Sequence, residues 1–319
     1  MLAGWTLDAG AQQACKAEVS VGVIDSNGNS FRGLAREDFL TRGPKGIGVE
    51  SIAYDEGPRR LLLVVDTSKK LSIAAHKAEI ELVKAIVATS RPADSLALIT
   101  ARGPGGTVKF GEDRSKLLDV LESEANPNKD RGPLDAANEG LEWFSDPRPG
   151  DAILLIAAST DGNHKTNAKS LAKALASHHV RLFGLALGLV MTRNISAEGV
   201  VTSTTSQGMA YVTAGLGDYA YDTGDPDFYP LTTNSGGIVV AVMNPESQHG
   251  SYKPEDPRFQ QFLKSRAMIV SNAVQAFYRF QIDQPKLSHP EVWSLDIKEA
   301  IRKHSPAMFL LYSHELGPC

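Results

Sequence analysis

The sequence predicts an α/β protein in which a doubly wound, mostly parallel sheet is flanked by a small β subdomain built from both chain ends. Two patterns predict this fold. Short, uninterrupted apolar runs alternate with amphipathic helices through the middle of the chain, and period-two alternation marks segments near both ends. Apolar residues at 42% and charged residues at 22% are ordinary proportions for a globular protein, which argues against a disordered chain.

Charge and hydropathy exclude two classes of function. The chain carries 33 basic and 37 acidic side chains, a net charge of −4, and no Lys/Arg cluster, so nucleic-acid binding is not expected. The longest nearly uncharged apolar stretch, Leu182–Met191, is well short of the ~20 residues of a membrane-spanning helix. We therefore expect neither a nucleic-acid partner nor a membrane span.

The first elements are predicted to be β-strands. The stretch Ala17–Ile24 alternates with period two, and Asp25–Asn29 then supplies turn residues. A short helical turn is predicted over Gly33–Phe39 and a second strand over Gly48–Tyr54. The pair Gly57-Pro58 ends this part of the chain.

From Arg59 onward, predicted strands alternate with predicted helices. Leu61–Val65 is a continuous apolar run, as expected for a parallel strand buried on both faces. The other strands are predicted over Leu96–Thr100, Thr107–Phe110, Ala152–Ala157, Val180–Leu187 and Ile238–Val242. The helices are predicted over Leu71–Thr89, Asp113–Ser123, Leu134–Phe144, Asn167–Ser177 and from Asp256-Pro257 to about Phe280. This alternation predicts the doubly wound sheet.

The stretch Val190–Tyr229 interrupts the alternation and is rich in Gly, Ser and Thr. A loop of this length is either functional or a mobile excursion. Next to Asp225-Pro-Asp227 it carries Tyr219, Tyr221 and Tyr229. These tyrosines either form an exposed acidic and aromatic patch that binds a protein partner or cover the local core.

The tail of the chain returns to predicted strands, over Tyr278–Ile282, Trp293–Ile297 and Met308–Tyr312. The economical architecture pairs the two ends of the chain with each other. The predicted units are an N-terminal β segment (residues 1–57), a central α/β domain (58–274) and a C-terminal β segment (275–319) that pairs with the first.

The two cysteines, Cys15 and Cys319, lie near opposite ends of the chain. Because domain termini often lie close together, they can form a bridge in an oxidising compartment, and the alternative is two unrelated free thiols. The opening residues lack the basic and apolar regions of a signal peptide. A chain that begins just after a removed signal has the same appearance.

Two predicted strand ends carry acidic side chains. Val65 is followed by Asp66-Thr-Ser68, and Ala157 by Ala-Ser-Thr-Asp161-Gly. Ligands of open α/β sheets bind beyond the carboxyl ends of the strands, and a carboxylate near a hydroxyl suits a hard divalent cation. The sequence therefore predicts a binding site at this edge.

These strand ends resemble those of von Willebrand factor A domains, in which Asp-x-Ser follows one strand and Thr-Asp-Gly ends another. A further match is Leu231-Thr-Thr-Asn-Ser-Gly-Gly237, interpreted as a strand between helix and sheet. The resemblance covers roughly residues 59–274. The flanks resemble the von Willebrand A-related proteins described from Acidobacteria, through Val19-x-Val-x-Val-x-Asp25, Gly33-Leu-x-x-Glu-Asp-Phe39 and the ending Tyr312-x-x-x-Leu316-x-Pro-Cys319.

The resemblance implies a metal-ion-dependent adhesion site, in which Mg²⁺ keeps an open position for a partner's carboxylate. Asp66, Ser68 and Asp161 match its ligands. Lys70 stands where a second Ser belongs, and Gly132 falls most naturally at the Thr position. Because Mg²⁺ requires near-octahedral oxygen coordination, the site is expected to be degenerate, with no cofactor or only weakly bound Mg²⁺.

Two further side chains are candidates at this site. Asp130 can supply a substitute oxygen to a metal. Lys70 can instead neutralise Asp66 and Asp161 in place of a cation, or it can simply point to solvent. We therefore count Lys70 and Asp130, with the three tyrosines, as candidate partner-binding residues.

The function implied by the resemblance is an extracytoplasmic, non-enzymatic module that binds a protein ligand. One alternative is a Mg²⁺-dependent adhesion receptor with a working metal site, and another is a hydrolase or transferase. No His-Glu-x-x-His, Gly-x-Ser-x-Gly or P-loop motif occurs, so no catalytic residue and no organic cofactor is assigned. The pair His178-His179 is more typical of a surface helix end than of a metal site.

Overall fold

The computed structural model describes residues 15–67, 73–101, 106–123, 131–160, 165–192, 220–222, 227–243, 255–284, 287–304 and 308–317. The N-terminal part forms strands β1 (Cys15–Ile24), β2 (Phe39–Arg42) and β3 (Gly48–Asp55), with a 3-10 turn at Arg36–Asp38. The central part forms β4 (Arg60–Val65), α1 (Ile73–Thr89), β5 (Ser95–Thr100), β6 (Thr107–Val108), α2 (Ser115–Glu122), α3 (Pro133–Leu141), β7 (Ala152–Ala157), α4 (Ala168–Ser177), β8 (Arg181–Thr192), β9 (Ala220–Asp222), α5 (Phe228–Asn234), β10 (Val239–Met243) and α6 (Pro257–Gln275). The C-terminal part forms β11 (Phe277–Gln284), β12 (Glu291–Val292), β13 (Ser294–Ile297), α7 (Glu299–His304), β14 (Phe309–Leu311) and β15 (Glu315–Leu316).

The central strands form one mixed sheet in the order β10-β8-β7-β4-β5-β6, and β9 pairs with the end of β8. The strands from β10 to β5 in this order run parallel to one another, whereas β6 and β9 run antiparallel to their neighbours. The carboxyl ends of the parallel strands therefore meet at one edge of the sheet.

Helices cover both faces of this sheet. Along β4, Leu61, Leu63 and Val65 pack with α1, α2 and α6. The alternate residues Leu62 and Val64 pack with α3, α4 and α5 on the other face. Because both faces are buried, the strand is an uninterrupted apolar run, and the doubly wound fold predicted from such runs is confirmed.

Both chain ends build a second, separate antiparallel sheet, in the order β14-β1-β11-β3. Its core contains the large buried side chains Tyr278, Phe280 and Trp293. Since β1 lies between two C-terminal strands, the predicted pairing of the ends is confirmed. Cys15 is disulfide-bonded, so the free-thiol alternative is wrong for this residue, and Cys319 lies outside the described residues.

The last central helix is shorter than predicted. It ends at Gln275 instead of running to about Phe280, because Ala276 takes up extended backbone. From Tyr278 onward, inward-facing and outward-facing residues alternate along β11. Aromatic residues that fit a helical apolar stripe thus belong to a strand, and the second sheet begins there.

The predicted loop Val190–Tyr229 is too wide at both ends. Strand β8 runs on to Thr192 and pairs with β9, and helix α5 takes up Phe228–Asn234. The segment from Leu231 to Gly237 is therefore a helix end and a turn, and its interpretation as a strand is wrong. Gly236, at φ +89°, makes the turn into β10.

The chain passes between the two sheets twice, after β3 and before β11. Arg59 contacts both crossings. Its Nη2 donates to the Asp55 carbonyl (2.7 Å) and carboxylate (2.9 Å), and its guanidinium carbon lies 4.4 Å from the Phe277 ring centroid. The two sheets are thus joined through the buried guanidinium of Arg59. Of the helices in the described part of the chain, none has the length and apolar character needed to cross a membrane.

Candidate binding site at the carboxyl ends of the strands

Strand β4 delivers a carboxylate to the carboxyl edge of the sheet. Asp66, just past the end of β4, is buried, and its N–H donates to the Ile156 carbonyl of β7 at 2.9 Å. The next residue, Thr67, is also buried, and its hydroxyl has no hydrogen-bond partner among the described residues. Two consecutive residues at this strand end therefore bury a carboxylate and a hydroxyl.

A second loop joins this edge from α3. Arg131 N–H donates to the Ala101 carbonyl (2.9 Å) and Arg131 Nε donates to the Thr100 carbonyl (3.1 Å), just past the end of β5. Arg131 also forms an ion pair with Glu139. Gly132 follows as the N-cap of α3, and Pro133 is the first helical residue. Arg131 and Gly132 are thereby fixed one strand away from Asp66.

The third loop follows β7. Ser159 is half-buried and Thr160 is buried beyond the end of this strand. The carboxylate of Asp135, in the first turn of α3, accepts hydrogen bonds from the N–H groups of Lys165 (3.1 Å) and Thr166 (2.7 Å). The α3 terminus and the loop after β7 are therefore tied together, so three loops converge on one edge.

The structure places part of the predicted site. Asp66, predicted from its strand end, and Gly132, assigned through the resemblance, lie at the same edge. The other candidates, Ser68, Lys70, Asp130, Asp161 and Tyr219, lie outside the described residues. Tyr221 belongs to β9, of which only the backbone is described.

Tyr229 is in a helix, not in a loop. It lies in α5, where it packs partly buried against the core on the α3 and α4 face of the sheet. Burial raises the pKa of its hydroxyl. At this position the structure favours the alternative that the tyrosine covers the local core.

The described residues hold only part of the predicted metal-site positions. Gly132 has no side-chain oxygen, and the guanidinium of the neighbouring Arg131 forms an ion pair with Glu139. Within the described ranges, no three His, Cys, Asp or Glu side chains form a group that could hold a metal ion. This part of the edge offers a partner hydrogen-bond acceptors beside an ion pair.

Three residues of this edge were not singled out from the sequence. Thr67 and Thr160 stand inside the motifs, but nothing in the pattern distinguishes buried hydroxyls from exposed ones. Asp135 is typical of the acidic residues that occupy the first turn of a helix. Its contact with the loop after β7 depends on the tertiary structure.

No family of known proteins matches the sequence, and no curated protein matches it. Among solved structures, the chain is similar to a von Willebrand factor type A structure from Catenulispora acidiphila, with 9% identity, 97% of this chain and 74% of that chain covered, and a TM-score of 0.40. It is also similar to a serine-substituted, aerotolerance-related membrane protein from Bacteroides fragilis, with 16% identity, coverage of 65% and 98%, and a TM-score of 0.41. A third similar structure is the VWA domain of SpRpn10, with 10% identity, coverage of 65% and 93%, and a TM-score of 0.37.

Proposed function

We propose that this chain is an exported, non-enzymatic module that binds a protein partner at the carboxyl ends of β4, β5 and β7. The observation that carries the proposal is the position of the consecutive residues Arg131 and Gly132, which lie one strand away from the buried Asp66. A von Willebrand A-type adhesion site has a hydroxyl and an open cation position there. In this chain Gly132 supplies no hydroxyl and Arg131 is fixed at the end of β5, which supports binding of the partner directly through protein groups.

The extension of β8 supports a large binding face at this edge. Ala157, the last residue of β7, pairs with Ala186, whereas β8 pairs with β10 as far as Leu189 and continues to Thr192. There it pairs with β9. The end of β8 and strand β9 therefore stand at the same end of the sheet as Asp66, where they enlarge the surface that a partner can contact.

The disulfide at Cys15 supports export. Structural disulfides persist in oxidising compartments and are rare where thiols are kept reduced. Cys15 is disulfide-bonded at the start of β1, which is consistent with an extracytoplasmic protein.

The proposal is tested by thermal melts of EDTA-treated protein in millimolar Mg²⁺, Mn²⁺ and Ca²⁺. We expect no saturable rise in melting temperature, because ligands that bind the folded state raise it and the edge lacks a full ligand set. A rise that Asp66→Ala and Asp161→Ala abolish would contradict the proposal and favour the Mg²⁺-dependent adhesion receptor.

A variant that restores the two missing hydroxyl groups tests the same point in the opposite direction. We expect the double variant Lys70→Ser with Gly132→Thr to acquire a Mg²⁺-dependent rise in melting temperature. Gly132→Thr alone is the matched control. Gly132 has φ −71° and ψ 164°, which threonine adopts readily as an N-cap, so the single variant changes stability by only a few tenths of a kcal/mol and without metal.

The hydrolase alternative has its own readout. The chain is assayed in a broad esterase and phosphatase screen. Turnover that is present in the parent chain and lost in Asp66→Ala would contradict a non-enzymatic role. We expect no turnover above the level of that variant.

A further inference from the structure

Strand β1 has one edge that is only partly paired. One edge pairs with β11 from Cys15 to Val21, whereas the other pairs with β14 only from Gly22 to Ile24. Among the residues that the structure describes, none pairs with the second edge over Lys16–Ser20. An unpaired strand edge is a template on which another extended segment can add.

The C-terminal segment leaves this edge because other bonds hold it. The register that pairs Gly22 with Leu311 would continue to Ser20 opposite Ser313. Instead, the Ser313 carbonyl accepts from Trp293 Nε1 (2.6 Å), and His314 N–H donates to the Asn234 carbonyl (3.2 Å). The segment then pairs with β12, so a gap opens beside β1.

This gap is part of a cleft of about 380 Å³ between the two sheets. All five residues from Lys16 to Ser20 line it. Since successive side chains of a strand point to opposite faces, five consecutive residues line a cleft only along their backbone edge. Opposite walls come from the C-terminal segment Glu315–Gly317 and from Ala172, Leu175 and Ala176 of α4, which offer an apolar surface.

Arg181, whose side chain is a buried cation, is one of the residues that line the cleft. The Arg181 side chain is only 3% exposed, and its guanidinium is stacked against Phe183 and Phe277, with centroid distances of 5.1 and 4.8 Å. The single hydrogen bond of this guanidinium within the described ranges is a long one of 3.3 Å from Nη2 to the Val274 carbonyl, and Nε and Nη1 have none. Burial, with the nearby Arg59, lowers the pKa of Arg181 to about 9, so the group remains charged at neutral pH.

The acidic groups around Arg181 are engaged elsewhere. Asp151 forms an ion pair with Arg60 at 2.5 Å. At the rim, Glu18 lies 3.8 Å from Arg279, and Glu315 is exposed. Arg181 is therefore a buried charge that forms no ion pair within the described part of the chain, a costly state that an anion in the cleft would relieve.

We propose that the cleft binds an extended, carboxylate-bearing peptide segment of a partner protein, which adds as a strand to β1 and compensates the charge of Arg181. The unpaired backbone edge supplies hydrogen bonds, α4 supplies an apolar wall, and Arg181 selects for an acidic side chain. This cleft lies at the amino ends of β7 and β8, at the opposite end of the sheet from Asp66. The proposal is therefore independent of the binding face described above.

The test is fluorescence polarisation with the full chain and a labelled heptapeptide, Ser-Val-Thr-Asp-Thr-Val-Ser. The matched peptide has Asn in place of Asp. We expect the Asp peptide to bind at least about tenfold more tightly, and Arg181→Met to remove that difference. The variant is expected to fold, because replacing an uncompensated buried charge by an apolar side chain is often neutral or stabilising.

A second pair of variants tests the cleft without altering the interior. Ala176 and Ser177 are both exposed on α4, but only Ala176 lines the cleft. We expect Ala176→Glu to weaken binding of the Asp peptide at least about tenfold and Ser177→Glu to leave it unchanged. The bound peptide should also slow amide hydrogen exchange over Lys16–Ser20.

Four outcomes would overturn the proposal. The Asp and Asn peptides could bind the parent chain equally, or neither could bind at millimolar concentration. Binding only after deletion of residues 2–13 would identify the chain's own N-terminal segment as the occupant. Dimerisation that competes with the peptide would identify a second copy of the chain.

Discussion

The side chain of Asp94 is the main acceptor at the junction between the sheets. It accepts hydrogen bonds from the N–H groups of Arg59 and Arg91, both at 2.9 Å, and from the Arg91 guanidinium. Burial opposes ionisation of this carboxyl, but the hydrogen bonds from Arg91 and Arg59 outweigh burial and lower its pKa. Asp55, which binds Arg59, has a lowered pKa through the same balance.

Replacing Asp94 should therefore destabilise the whole chain. We expect Asp94→Ala to lower the free energy of unfolding by about 3 kcal/mol, because it leaves the buried N–H of Arg59 without its acceptor and the charge of Arg91 without its carboxylate partner. Urea unfolding measures this loss. Asp119→Asn, at an exposed carboxylate on α2, is the control and should change the free energy by less than about 0.5 kcal/mol.

The pH dependence has a definite sign. A carboxyl whose pKa is lower in the folded than in the unfolded state stabilises the fold above its unfolded pKa. That stability is lost as pH falls through the folded pKa, so the parent chain should lose stability below about pH 4. Asp94→Ala should lose less over the same range, and an identical pH profile would count against this role.

At the scale of elements, the turn after β1 docks closely on α6. Gly28 has φ +78°, and a Cβ built on it would lie 2.1 Å from the Ile269 carbonyl oxygen. Asn272 of α6 also donates to Asn29 Oδ1 at 3.1 Å. The backbone of the turn after β1 thus contacts α6 directly. Any residue with a Cβ at position 28 would clash with this helix.

A comparison of substitutions at two glycines distinguishes the cost of losing this contact from the cost of backbone strain. Gly33 has a nearly identical φ of +77°, but a Cβ at this position would have no atom within 4 Å. We expect Gly33→Ala to cost about 1 kcal/mol of unfolding free energy, through left-handed backbone strain. Gly28→Ala should cost about 1–3 kcal/mol more, through the clash with α6. Equal losses in chemical denaturation would mean that the turn can move away.

Most elements were predictable because their signal is local. The predicted strand Ala152–Ala157 has the same first and last residues as β7. A strand buried on both faces is an uninterrupted apolar run, so its ends are easily recognised in the sequence. The end of α6 was not predictable, because the aromatic residues there fit both a helical and a strand pattern. The position of α5 was not predictable either, because Thr232 and Thr233 donate hydrogen bonds back to helix carbonyls, a contact that the sequence does not reveal. Tertiary packing decides such cases.

The two sites differ in predictability for the same reason. Asp66 is found at the carboxyl end of a predicted strand, because parallel strands end together, whereas Gly132 is assigned only through the resemblance to von Willebrand factor A domains. The cleft at Arg181 exists because the C-terminal segment turns away from β1. That course depends on two hydrogen bonds, from Trp293 Nε1 to the Ser313 carbonyl and from His314 N–H to the Asn234 carbonyl. No local pattern near Arg181 encodes those contacts.

At the scale of the whole molecule, the described chain ends lie side by side. Gln284 pairs in register with Cys15, and its Nε2 donates to the Gly317 carbonyl at 3.0 Å. Gly317 is the last described residue, two positions before Cys319. We therefore propose that the disulfide at Cys15 is formed with Cys319.

This pairing makes a non-additive prediction. We expect Cys15→Ser and Cys319→Ser each to lower the free energy of unfolding by about 2–4 kcal/mol, and the double variant to lose no more than either single one. Non-reducing peptide mapping should recover the two cysteines in one cross-linked fragment. A Cys319→Ser variant with the parent chain's stability would rule the pairing out.

The position of β1 between β11 and β14 also has a consequence for the order of synthesis. Both strands that pair with β1 in the described part of the chain are made late, so its sheet cannot close until Phe277 and the residues after it have left the ribosome. At about 5–20 residues per second, the roughly 250 intervening residues take about 10–50 s. During that time the central sheet can form from neighbours in sequence, while β1 waits as an exposed apolar segment that must be kept from pairing with other chains.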